Sequence, residues 1–115
     1  MAEMNYIHPP EVYENWSQHD ITYQMGNIGS EVSRSLKWTE KKNMTRAAKA
    51  IDRALELFEF TINSNIHNHA RLTEILKARD EFCDYFFNHN SYHTDPVRMQ
   101  KYYDGFTMIE QLSKK

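Results

Sequence analysis

Six histidines, one cysteine and an arginine set among apolar residues are the side chains of this sequence best suited to chemistry. His67 and His69 form a His-x-His pair, and His89 and His93 form a second pair at i,i+4. Such pairs can hold a metal, but these two flank a predicted helix about 27 Å long at 1.5 Å rise per residue, so one chain cannot gather all four. A pair without a neighbouring carboxylate or cysteine makes a weak site. These are expected to be surface loop histidines, and neither a metal nor a cofactor is expected. Cys83 falls on an apolar stripe, where a thiol is inert packing. Asp80/Asp84 and Asp52/Glu56 have the i,i+4 spacing of solvated helix faces. No complete catalytic constellation is found, so no enzyme is expected.

Arg79 is the most informative position. Leu72, Ile75, Leu76, Phe82, Cys83 and Phe86 recur at helical spacing, and Arg79 falls in the middle of that stripe. An unpaired buried guanidinium is very costly. It must meet a carboxylate, with Asp52, Glu56, Glu59 and Glu31 as candidates, reach water at a cleft or an interface, or snorkel outward. A cleft at Arg79 could grip an anionic ligand.

Four helices must position these groups. The first is expected to open at Ser17, where Ser17-Gln18-His19-Asp20 resembles a capping box. It carries Ile21, Met25, Ile28, Val32 and Leu36 on one face. Gly26 and Gly29 interrupt it at a cost of about 1 kcal/mol each against alanine, which points to close approach of another helix. The second covers roughly 40–63, with Met44, Ala47, Ile51, Leu55, Phe58 and Ile62 inward. The third covers about 69–87. Asp95 as N-cap and Pro96 as first residue open the fourth, to about 112. Met99, Tyr102, Tyr103, Phe106 and Ile109 are its inward face, and Lys114 and Lys115 suit its negative end. The expected fold is all-α: a single-domain up-and-down four-helix bundle over 16–115, after an irregular, extended N-terminal arm over 1–15 that packs through Tyr6, Ile7, Val12 or Tyr13.

The run Lys77-Ala78-Arg79-Asp80-Glu81-Phe82-Cys83-Asp84-Tyr85, a short loop, and then Thr94-Asp95-Pro96 opening a last helix resembles the HEPN superfamily over about 40 residues. The resemblance implies a small four-helix protein, often dimeric. Many members are ribonucleases, and others are partners of nucleotidyltransferases. Their motif is Arg, four to six residues, then His. Arg79 matches the Arg, but five positions later stands Asp84. A carboxylate near phosphate repels the substrate, which argues against nuclease activity. His89 lies ten residues after Arg79, outside the motif spacing, and could approach only from the loop.

One helix cannot bury every aromatic of the last hairpin. Tyr85 and Phe87 leave the stripe of the third helix, and Met108 and Leu112 lie opposite Tyr103. Surplus apolar surface of this kind suggests a partner, most simply a second copy. Lys37, Lys41, Lys42, Arg46 and Lys49, with Trp38, form a modest basic patch that could touch phosphate. The net charge of -2 gives RNA binding no bulk support. No apolar run reaches membrane-spanning length, so no membrane partner is expected. The lone cysteine and the absence of a signal-like start suggest a cytoplasmic protein. The expected function is a non-enzymatic helical interaction module, HEPN-like and homodimeric, with an RNA-binding or RNA-processing HEPN relative using a cleft at Arg79 and a bundle for an anionic small ligand as the rivals.

Overall fold

The computed structural model describes residues 6–113. Every regular element among them is a helix: α1 Pro10–Trp16, α2 Ile21–Glu40, α3 Met44–Ser64, α4 His69–Phe87 and α5 Pro96–Ser113. Lys114 and Lys115 lie outside the described residues.

The arm expected to be extended carries a two-turn helix. Pro9-Pro10 starts it: Pro10 sits where its missing N–H costs nothing. This displaces the expected start of α2. Ser17 caps the end of α1, and Asp20 is the true N-cap of α2, accepting from Tyr23 N–H at 3.0 Å. Asn43 and Asn68 cap α3 and α4 in the same way, and the Asp95 carboxylate accepts from Val97 N–H at 3.0 Å.

The core lies between α2 and its two neighbours, α3 and α5. Met25, Ile28 and Val32 of α2 are fully buried, as are Ala50, Ala54 and Phe58 of α3. Small residues let α2 and α5 come together. A Cβ on Gly29 would stand 2.4 Å from Tyr103 Cβ, and one on Gly26 would stand 3.0 Å from Thr107 Oγ1. These two contacts run in opposite directions along the helices, so α2 and α5 are antiparallel. Gln100 adds a hydrogen bond from Nε2 to Gly29 O at 3.2 Å.

At the far end a buried polar network joins α1, α2 and α3. Trp16 Nε1 donates to Thr61 Oγ1 at 3.0 Å. Gln24 Nε2 donates to Trp16 O at 2.8 Å, and Asn65 Nδ2 donates to Gln24 Oε1 at 3.0 Å. Glu56 fastens the arm by accepting from the backbone N–H of Ile7 and of His8, each at 2.7 Å.

α4 packs on α3 through Phe82 and Phe58, whose rings lie 5.6 Å apart. Its buried face is centred on Ile75, Ala78 and Phe82. Leu76, placed on the expected stripe, is exposed, and so is Arg79. Arg79 is therefore not carried into the interior. Leu72, Leu76 and Cys83 of the expected stripe lie on the flank of the helix, while Ala78 marks its inward side. Met44, Tyr102 and Ile109, expected inward, are exposed as well.

Candidate functional site

α4 and α5 do not close on each other. Between them runs a groove of about 680 Å³. Ala70, Thr73, Lys77 and Glu81 form its α4 wall, a row at helical spacing, and Arg98 and Tyr102 form its α5 wall. Ala78 and Met99, both buried, lie at its base. Tyr102 spans the gap, donating from its hydroxyl to Glu74 Oε1 at 2.7 Å. Partial desolvation of the phenol in the groove and that bond hold it above its ordinary pKa. The sequence carried one signal of the groove: small Ala70 and Ala78 on the side of α4 that faces α5.

The loop from α4 to α5 is organised by Asp84, which is buried. Its carboxylate accepts from Ser91 Oγ, from Tyr92 N–H at 3.0 Å and from Asn88 Nδ2 at 3.1 Å. Its main-chain carbonyl accepts from Asn88 N–H and Asn90 N–H, each at 3.0 Å. Burial alone would raise the Asp84 carboxyl, but these donors outweigh it and hold the group below the usual carboxylate range. His89, Asn90 and His93 all take positive φ in this loop. Three left-handed residues in a row of five need such a hub, because that conformation is unfavourable for side chains with a Cβ.

The candidate site residues are thus dispersed. Arg79 and Asp84 are about 140° apart around α4 at 3.6 residues per turn, and the Asp84 carboxylate is already saturated. Arg79 lines a separate groove between α3 and α4 with Asp52, Glu56 and Glu59, yet forms no ion pair among the described residues. Glu56 is committed to the arm and to His8 Nδ1 at 2.8 Å. Glu31 is held by Arg34 at 2.7 Å and Arg53 at 2.8 Å. His89 and His93 are exposed in the loop, and His67 and His69 are exposed around the start of α4. No three His, Cys, Asp or Glu side chains among the described residues converge as a metal site. Cys83 is half-buried, and burial pushes its thiol up, away from the reactive thiolate.

Of the expected interface residues, Phe87, Met108 and Leu112 are exposed. Tyr85 is half-buried, edge-on to Phe86 at 4.9 Å, so it is packed rather than presented. Comparison with protein-family models, with curated proteins and with solved structures finds no match to this chain.

Proposed function

We propose that this chain is a non-enzymatic helical interaction module, an up-and-down four-helix bundle of HEPN-like architecture whose arm carries its own helix, and that it forms a homodimer through the α4–α5 hairpin. The observation that carries this reading is the open α4–α5 groove continued by exposed apolar residues. Phe106 and Ile109 follow Tyr102 on the same face of α5 at i+4 and i+7; with Tyr102 tied to Glu74, these two are the anchors a second copy can take up. Ile109 is 56% exposed. Met108 and Leu112 extend the apolar surface around the same helix end. Each copy therefore offers both a groove and a helix able to fill one, which suits an isologous two-fold contact.

An RNA-processing role has weaker support. Arg79 shares its groove with three carboxylates, a field that disfavours phosphate, and Asp84 is occupied by its loop. The same carboxylates disfavour an anionic small ligand there.

Sedimentation velocity tests the dimer. The wild-type chain is expected to sediment as a dimer at high micromolar concentration, and the Ile109→Glu, Leu112→Glu double variant as a monomer with unchanged helical circular dichroism. A wild-type chain that stays monomeric at that concentration overturns the proposal.

A further inference from the structure

The α2–α3 hairpin ends in a cluster of cations with no acidic partners. Between residues 35 and 51 lie Lys37, Lys41, Lys42, Arg46 and Lys49 against a single carboxylate, Glu40. That segment is net +4, and the rest of the sequence, nine cations against fifteen carboxylates, is net −6. None of the five cations forms an ion pair among the described residues. Three of them converge on one indole: Lys37 Nζ lies 5.2 Å, Lys41 Nζ 5.5 Å and Arg46 Cζ 4.6 Å from the Trp38 ring centroid. Cation–π attraction gathers like charges there at the expense of their mutual repulsion.

Lys37 and Lys41 suit the negative end of α2. The other positions work against local stability. Arg46 lies in the first turn of α3, where the helix dipole disfavours a cation. Lys42 takes φ 59° at the left-handed residue that ends α2, a position glycine fills with less strain. Local rules broken together at one spot mark function rather than folding.

We propose that this tip docks on an anionic lipid bilayer. Met44, the first residue of α3, is 61% exposed beside these cations. A phosphate backbone in water has no use for that side chain, whereas the boundary between headgroups and acyl chains accepts it. Trp38 is half-buried and already covered by cations, so it presents no open platform on which a nucleic-acid base would stack. The net-negative remainder of the chain is repelled by the same surface, which orients the molecule tip-down. No described helix is long and apolar enough to cross a membrane. Lying on a surface through a charged tip makes no such demand, and here the proposal departs from the expectation of no membrane partner, which rested on the lack of a spanning apolar run.

Co-sedimentation of the full chain with vesicles tests this. The chain is expected to pellet with phosphatidylcholine–phosphatidylserine vesicles and not with phosphatidylcholine alone. Lys41→Gln and Lys42→Gln are each expected to weaken binding about fivefold, the worth of one cation near an anionic surface. Met44→Ser is expected to weaken vesicle binding several-fold while leaving retention on a heparin column unchanged. All three positions are exposed, and thermal melts check that the variants fold. Equal binding to both vesicle types, failure to bind either, or tight binding to a mixed-sequence RNA oligonucleotide without vesicle binding overturns the proposal.

Discussion

Gly29 of α2 lies directly against Tyr103 of α5, so close that a Cβ at position 29 would stand 2.4 Å from Tyr103 Cβ. The three glycines consequently behave differently on replacement by alanine. Gly29→Ala gains about 1 kcal/mol of helix propensity but overpacks the α2–α5 seam, at a cost of about 1–3 kcal/mol, and is expected to lower stability. Gly26→Ala meets the Thr107 hydroxyl at 3.0 Å and the Thr107 backbone at an ordinary 3.7 Å, and is expected to be nearly neutral. A Cβ at Gly105 meets nothing within 4 Å, so Gly105→Ala is expected to stabilise by about 0.5–1 kcal/mol. Urea unfolding of the three variants checks the order.

The Tyr103 hydroxyl is buried without a hydrogen-bond partner among the described residues. Removing an unsatisfied buried hydroxyl relieves its desolvation cost. Tyr103→Phe is therefore expected to be neutral or stabilising by up to about 1 kcal/mol. Tyr102→Phe loses its bond to Glu74 and is expected to be slightly destabilising. Thermal melts of the pair show whether the two neighbouring tyrosines differ in sign.

Asp84 holds the α4–α5 loop as an anion. Its folded pKa is depressed, so its stabilising contribution is present above the ordinary carboxylate value, about 3.9, and is lost as pH falls through the folded pKa. Asp84→Asn is expected to lower Tm near neutral pH and to flatten the loss of Tm under acid. Backbone amides of residues 88–94 are expected to exchange faster in this variant. Hydrogen exchange and melts across that range measure both effects.

Glu56 works with the same sign at the arm. Burial pushes its carboxyl up, but the N–H donors of His8 and Ile7 prevail and depress it. Acid should therefore release the arm as pH falls below the ordinary glutamate value, about 4.3. Glu56→Gln should free it at neutral pH, with Ile7 and His8 amides exchanging first. Limited proteolysis before Trp16 reads the same event.

Arg79→Ala is expected to change stability by no more than about 0.5 kcal/mol, as for an exposed residue outside any network. A larger loss in urea unfolding would mean that Arg79 has a structural partner.

Helix 69–87 and the start at Pro96 were legible because their signals are local: Asn68 and Asp95 offer side chains to nearby N–H groups, and Pro96 needs no partner of its own. The close approach at Gly29 was legible for a related reason, since two glycines in one helix are costly unless a neighbour needs the space. Residues 10–16 were misread because Pro9-Pro10 favours both an extended arm and a helix start, and the choice is made by Trp16 reaching Thr61, 45 positions away. The error at Arg79 came from phase. An apolar stripe includes flank residues such as Leu76 that periodicity cannot separate from the centre. Beyond the small Ala70 and Ala78, the groove was not legible, because its width depends on how far α4 stands from α5, a distance no single helix encodes.

The seam between α2 and α5 also constrains how the chain is made. The helix that covers Gly29, α5, follows α2, α3 and α4 in the chain, so the nascent chain can pair α2 with α3 well before its other face is closed. Until then the face of α2 at Gly26 and Gly29 lacks the cover that Thr107 and Tyr103 provide. A stalled or clipped product lacking α5 is consequently a substrate for chaperones and proteases rather than a smaller folded protein.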